Sequence, residues 1–184
     1  QINVVIDGFL AIWVGTWAPA ALTYAERLIY LPLGIFATAL STVLLPTFSR
    51  QAARAELAGI ATTMADSIRG LMLIMVPASI GLMVLTTPIV RLAFEWTGGR
   101  FDETSTIVTA RALWFYAPGL IVFSLYKILV PAFYALKDTR TPVRIGIRAV
   151  LANLVLNVVF VLTWPDGFEH AGLACATDLA SGLN

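Results

Sequence analysis

Charge, cysteine and histidine are scarce in this sequence, and each shortage removes a class of function. Of 184 residues, 12% are charged, about half the share of an ordinary soluble domain. The chain is 59% hydrophobic, with a mean hydropathy of +0.84, and the apolar residues run along its whole length. One greasy core does not spread its apolar residues that way, whereas a series of membrane-crossing segments does. The formal net charge is +1, so no strongly basic surface points to nucleic acid. The one cysteine, Cys175, rules out an internal disulfide and leaves the redox compartment unread. The one histidine is His170, and HExxH, paired CxxC, GxSxG and P-loop patterns are all absent. No enzyme constellation is left, and "TGG" at 97–99 reads as a turn. No basic region precedes the first apolar run, so no cleavable signal peptide is expected. The start at Gln1 without Met, and the stop at Asn184 inside an apolar segment, suggest a piece of a longer protein.

What is present is a succession of long apolar runs. A span needs about 20 apolar residues, and only helices or closed barrels satisfy the backbone in lipid. The runs are too long and too continuous for barrel strands. Residues 2–17 form a first, short candidate that ends at "GTWAPA". Residues 20–48 form a second, with Pro32 as the expected kink. Residues 57–85 form a third, with Pro77 inside it. Residues 87–96, "TPIVRLAFEW", are too short to span and read as a lateral, interfacial helix. Asp102 opens a fourth span, expected to run as one long helix to about Ala135 with Pro118 and Pro131 inside. "KDTRTP" is a polar turn, 143–163 a fifth span, and 170–184 the start of a sixth. The expected fold is therefore all-α: a polytopic transmembrane bundle of about five complete spans and part of another. The turn after the second run carries Arg50 and Arg54, and the turn after the fourth carries Lys137, Arg140 and Arg144. Basic turns face the cytoplasm. Residue 1 then starts there, while Trp17 and Asp166 lie outside.

Polar residues inside these runs need a reason, because a charge at the membrane centre costs about 2.5–3.5 kcal/mol on insertion scales. Glu26 and Arg27 are the only charges between Ala18 and Pro46. Arg27 lies roughly 10 Å from the outer end of its helix at 1.5 Å per residue. Adjacent residues point about 100° apart, so Glu26 cannot simply neutralise Arg27 on one face. A snorkelling or ion-paired arginine and a functional one both remain open. Asp7 is a lone acid in the first run. Asn153 and Asn157, at i and i+4, share one helix face, the usual position of interhelical hydrogen-bond glue. Lys127 sits in mid-helix, Arg69 and Arg111 lie nearer helix ends, and His170 is expected at the interface. Polar residues within spans point to a pathway or a cavity of the kind transporters carry.

Specific strings then carry a resemblance. "YAERLIYLPLGIFATALSTVLLPTFSRQAA" (24–53), "RALWFYAPGLIVFSLYKILVPAFYALKDTRTPVRI" (111–145), "HAGLACATDLA" (170–180) and "QINVVID" (1–7) resemble the MurJ (MviN) lipid II flippase family. The similarity runs over essentially the whole chain in family order. It implies a multidrug/oligosaccharidyl-lipid/polysaccharide exporter with two six-helix lobes that alternate access. Residues 1–184 would be the second lobe, helices 7 to 11 and the start of 12, with the first lobe absent.

The resemblance also implies roles. Arg27 matches the second lobe's cavity arginine, which meets the pyrophosphate of lipid II, a ligand that Arg binds bidentately. Glu26, often Asp in the family, is expected to hold the helix or Arg27 in place. Some members carry another acid three residues after this Arg; here Tyr30 stands there, so that role is not carried over. A sodium site of the family matches Asp7, Asn153 and Asn157, with Thr177 as a hydroxyl donor. A carboxylate, two amide oxygens and a hydroxyl make a hard oxygen shell suited to Na⁺. Asn157 replaces the acid of some members, which leaves one carboxylate and weaker binding. Expected partners are lipid II, the first lobe and the membrane, with no cofactor beyond the coupling ion. Another polyprenyl-glycan flippase, a cation-coupled exporter and a non-transporting scaffold stand as alternatives.

Overall fold

The computed structural model describes residues 17–95, 101–163 and 175–177, and among them every regular element is helical. Helix α1 (Ala18–Pro32) continues through a wider π-helical stretch, Leu33–Thr38, into α2 (Ala39–Ala53). Helix α3 spans Leu57–Val84, α4 Thr86–Phe94, α5 Glu103–Tyr116, α6 Gly119–Ala135 and α7 Arg140–Thr163. Two continuous helices, Ala18–Ala53 and Leu57–Val84, are long and apolar enough to cross a membrane. The expected runs at 20–48, 57–85, 87–96 and 143–163 are therefore helices, slightly longer or shorter than drawn. The first run, with Asp7, and the turn with Asp166 lie outside the described residues. Of 170–184, only 175–177 is described, and it is helical.

Proline decides the two irregularities. Pro32 has no N–H for the Leu28 carbonyl, and its ring crowds that turn. The chain widens instead of breaking: the Thr38 hydroxyl donates to the Leu33 carbonyl, five residues back, at 3.3 Å. The expected single helix from Asp102 to Ala135 needs correction. It breaks at Ala117–Pro118, and α5 and α6 meet at a 48° bend. Pro118 cannot donate to the Trp114 carbonyl. The Ala117 carbonyl at the bend accepts the buried Ser79 hydroxyl of α3 at 2.7 Å and the Leu120 N–H at 3.2 Å. A neighbouring helix thus satisfies a backbone group that the break sets free, as lipid cannot.

Helix α1 packs along α5, and α2 along α6, so the two spans run side by side in the same direction. Ala18, Ala21 and Ala25 of α1 and Ala110 and Ala112 of α5 are buried. Small side chains let backbones approach closely where no hydrophobic force operates between helices in lipid. Phe48, Met75, Leu113, Leu120 and Ile128 fill the shared core. Leu57, Leu73, Ile80 and Val84 of α3 point outward, as suits a face against acyl chains.

Because these two spans are parallel, the turns after α2 and α6 share one end, the basic one. Cysteine labelling from outside should modify Asp166→Cys and spare Asp138→Cys, and the reverse pattern would invert the orientation. The two turns are also built alike. The Glu56 N–H donates to the Gln51 carbonyl and Ala55 to Ala52; Asp138 donates to Phe133 and Lys137 to Tyr134. Each is a Schellman cap, which wants glycine at the left-handed position. Ala55 (φ 57°) and Lys137 (φ 61°) stand there instead. Ala55→Gly and Lys137→Gly should each stabilise the fold, by up to about 1 kcal/mol. A lowered thermal midpoint in detergent would contradict this.

Two acids cap helices outside the spans. Asp102 accepts the Ser105 N–H at 2.8 Å and its hydroxyl at 2.6 Å. Asp138 accepts the Thr141 hydroxyl at 2.6 Å and the N–H groups of Thr141 and Arg140 at 3.0 and 3.1 Å. These hydrogen bonds, the hydroxyl first, hold both carboxyls below the ordinary aspartate range. Their capping is therefore present at neutral pH and is lost as pH falls through the lowered values.

Candidate substrate cavity and buried polar cluster

The 3.6-residue period places Trp17, Ala20, Tyr24 and Arg27 on one side of α1. That side lines a cavity of about 1230 Å³. The opposite wall is α5, through Ser105, Val108 and Thr109, with its cap Asp102. Phe94 of α4 and Phe101 close the remaining side. Arg27 is exposed at its position, and within the fold this means exposed to the cavity. Among the described residues no carboxylate lies within 4.0 Å of its guanidinium. The acid of the cavity wall, Asp102, is occupied with capping α5.

Arg27 instead meets an aromatic ring. Its guanidinium carbon stands 5.7 Å from the Tyr24 centroid, within cation–π range. Tyr24 in turn packs on Phe94 at 4.7 Å and edge-on to Phe101 at 5.4 Å, and those two rings are 5.6 Å apart. This trio joins α1 to the stretch between α4 and α5, far from it in sequence, so no periodicity announces it. The one legible clue is Tyr24, one helical turn before Arg27.

Glu26 lies off the cavity wall. Its carboxylate accepts a hydrogen bond from the Tyr30 hydroxyl at 3.2 Å, one turn along α1. The partner expected for Glu26 was the helix or Arg27; the contact observed is to its own helix. The i,i+4 spacing to Tyr30 is the signal that finds it.

At the other candidate site, Asn153 and Asn157 are fully buried on α7. The Asn157 amide donates to Asn153 Oδ1 at 3.1 Å, and the Asn153 amide donates to Thr177 Oγ1 at 3.2 Å. Three of the four residues expected to gather do so; Asp7 lies outside the described residues. The donor set of two amides and a hydroxyl, shut away at the two asparagines, suits a hard cation and equally a hydrogen-bonded chain. Of the remaining intramembrane charges, Lys127 is half-buried on α6. Arg69 pairs on the surface with Asp66 at 3.7 Å.

A family model described as lipid II flippase MurJ matches residues 1–184. The chain is 40% identical over 184 residues to the "Probable lipid II flippase MurJ" of Vibrio cholerae, covering 100% of this chain and 34% of that protein. It is 32% identical to the "Lipid II flippase MurJ" of Burkholderia cenocepacia over 184 residues, again 100% of this chain and 34% of the relative. A solved structure, "Lipid II flippase MurJ, inward closed conformation", superposes with a TM-score of 0.86 at 29% identity, covering 100% of this chain and 38% of that one. The chain thus spans about a third of the length of the curated relatives it matches.

Proposed function

This chain belongs to the lipid II flippase MurJ family, and from that premise we propose that it forms the second lobe of a two-lobe transporter that moves lipid II across the bacterial inner membrane. The family is one of transporters rather than enzymes. The observation that carries the proposal is Arg27: a cation within an apolar span, facing a cavity of about 1230 Å³ with no carboxylate beside it among the described residues. An unpaired guanidinium on a cavity wall is suited to a bidentate phosphate contact, and a lipid-linked pyrophosphate supplies the oxygens. Glu26 braces the helix that carries Arg27, by accepting the Tyr30 hydroxyl one turn along. Alternating access needs a second lobe moving against this one around the shared site, so transport is a property of the full-length protein.

Sodium is the coupling ion of this proposal, with Asp7, Asn153, Asn157 and Thr177 as its donors. In the arrangement described, amide N–H groups occupy the Asn153 and Thr177 oxygens. A bacterium depleted of its own lipid II flippase tests the function: the full-length gene should sustain its growth. Lysis, with the protein inserted in the membrane, would reject lipid II as the substrate.

A further inference from the structure

We infer that Tyr24 is a positioning residue for Arg27: its ring, wedged against Phe94 and Phe101, holds the guanidinium against the cavity wall without neutralising it. The inference rests on the reading of this cavity as the headgroup site. An arginine with no fixed partner samples many rotamers, and ordering a rotamer-rich side chain on binding subtracts from affinity. A carboxylate partner would fix the side chain but would compete with the phosphate for its N–H groups. An aromatic face avoids both penalties, because it attracts the cation through its quadrupole and leaves the planar fork of donors free. The geometry on α1 fits: Tyr24 precedes Arg27 by three residues, so the two lie on one face, with 5.7 Å between guanidinium carbon and ring centroid.

The platform is itself braced. Phe94 ends the lateral helix α4 and Phe101 precedes the cap of α5, and both touch the Tyr24 ring. Helix α4 is tied to α5 by Arg91, which reaches Glu103 at 3.3 Å and Glu95 of its own chain segment at 3.4 Å. The Tyr24 hydroxyl makes no hydrogen bond among the described residues, so the ring rather than the hydroxyl does the holding. The specificity that follows is for an anion that offers two oxygens of one phosphate to the planar guanidinium fork, beside an aromatic wall.

Binding of lipid II to the detergent-solubilised full-length transporter tests this. Tyr24→Leu should weaken binding about three- to tenfold, the range expected for losing one cation–π contact. Tyr24→Phe should stay within about twofold, since the ring is kept. Fluorinated phenylalanine analogues at position 24 should weaken binding stepwise with each fluorine. They keep the shape and drain the quadrupole, so a purely structural role would not respond. On top of Arg27→Ala, Tyr24→Leu should change nothing further. Unchanged binding in Tyr24→Leu, no trend with fluorination, or additive losses in the double variant would overturn the inference while leaving Arg27 in its role. Unimpaired binding in Arg27→Ala alone would instead remove the headgroup site itself.

Discussion

Arg27→Ala, made in the full-length transporter, is expected to stop lipid II translocation while leaving expression and folding intact. Both halves follow from where the side chain sits. Arg27 faces the cavity, not the core, and breaks no ion pair on removal, so stability should move by no more than about 1 kcal/mol, the size of its contact with the Tyr24 ring. Its loss from the site is a different matter. A hydrogen bond to a charged group contributes about 1.5–3 kcal/mol, which is roughly ten- to a hundredfold in affinity. A bidentate pair adds orientation as well. Arg27→Lys should keep part of the activity, because an ammonium replaces the charge but not the fork. The check is growth of cells in which each variant is the sole flippase, together with its level in the membrane. Normal growth of Arg27→Ala would make Arg27 a snorkelling residue.

Asn153→Ala is expected to have the second largest effect, on stability and on the response to sodium together. The Asn153 side chain is fully buried and links Asn157 to Thr177. Truncation removes both of these hydrogen bonds, at about 0.5–1.5 kcal/mol each. That loss alone would also follow from plain interhelical hydrogen bonding. The ion separates the two cases. If the cluster binds sodium, replacing potassium by sodium raises the unfolding midpoint of the full-length protein by mass action. Asn153→Ala then abolishes that rise, as does Asp7→Asn, which removes the one carboxylate of the set. A wild-type midpoint that is the same in both salts would reject the sodium site and leave the cluster as structural glue.

The spans were legible because the membrane imposes them: a run such as 57–85 has few alternatives to a helix, and Leu57–Val84 is one. The break at Ala117–Pro118 was not. Proline lies inside α2, α3 and α6 as well, at Pro46, Pro77 and Pro131, without ending those helices. At Pro118 the Ala117 carbonyl meets the Ser79 hydroxyl, 38 residues away in sequence, and local pattern cannot foresee a partner at that distance. The same division holds at the site. Arg27 could be singled out because a charge in an apolar run is costly wherever it points. The rings of Tyr24, Phe94 and Phe101 are ordinary residues of a membrane protein until α1 and the stretch between α4 and α5 bring them together. Asn153 and Asn157 announce a shared face through their spacing, whereas Thr177 joins them only through packing.

Translocation of fluorescent lipid II between the leaflets of proteoliposomes holding the full-length protein tests the central claim most directly. Transfer should proceed with the wild type, fall to the protein-free rate with Arg27→Ala and recover in part with Arg27→Lys. Transfer by Arg27→Ala at the wild-type rate would contradict the assignment of this cavity to the headgroup.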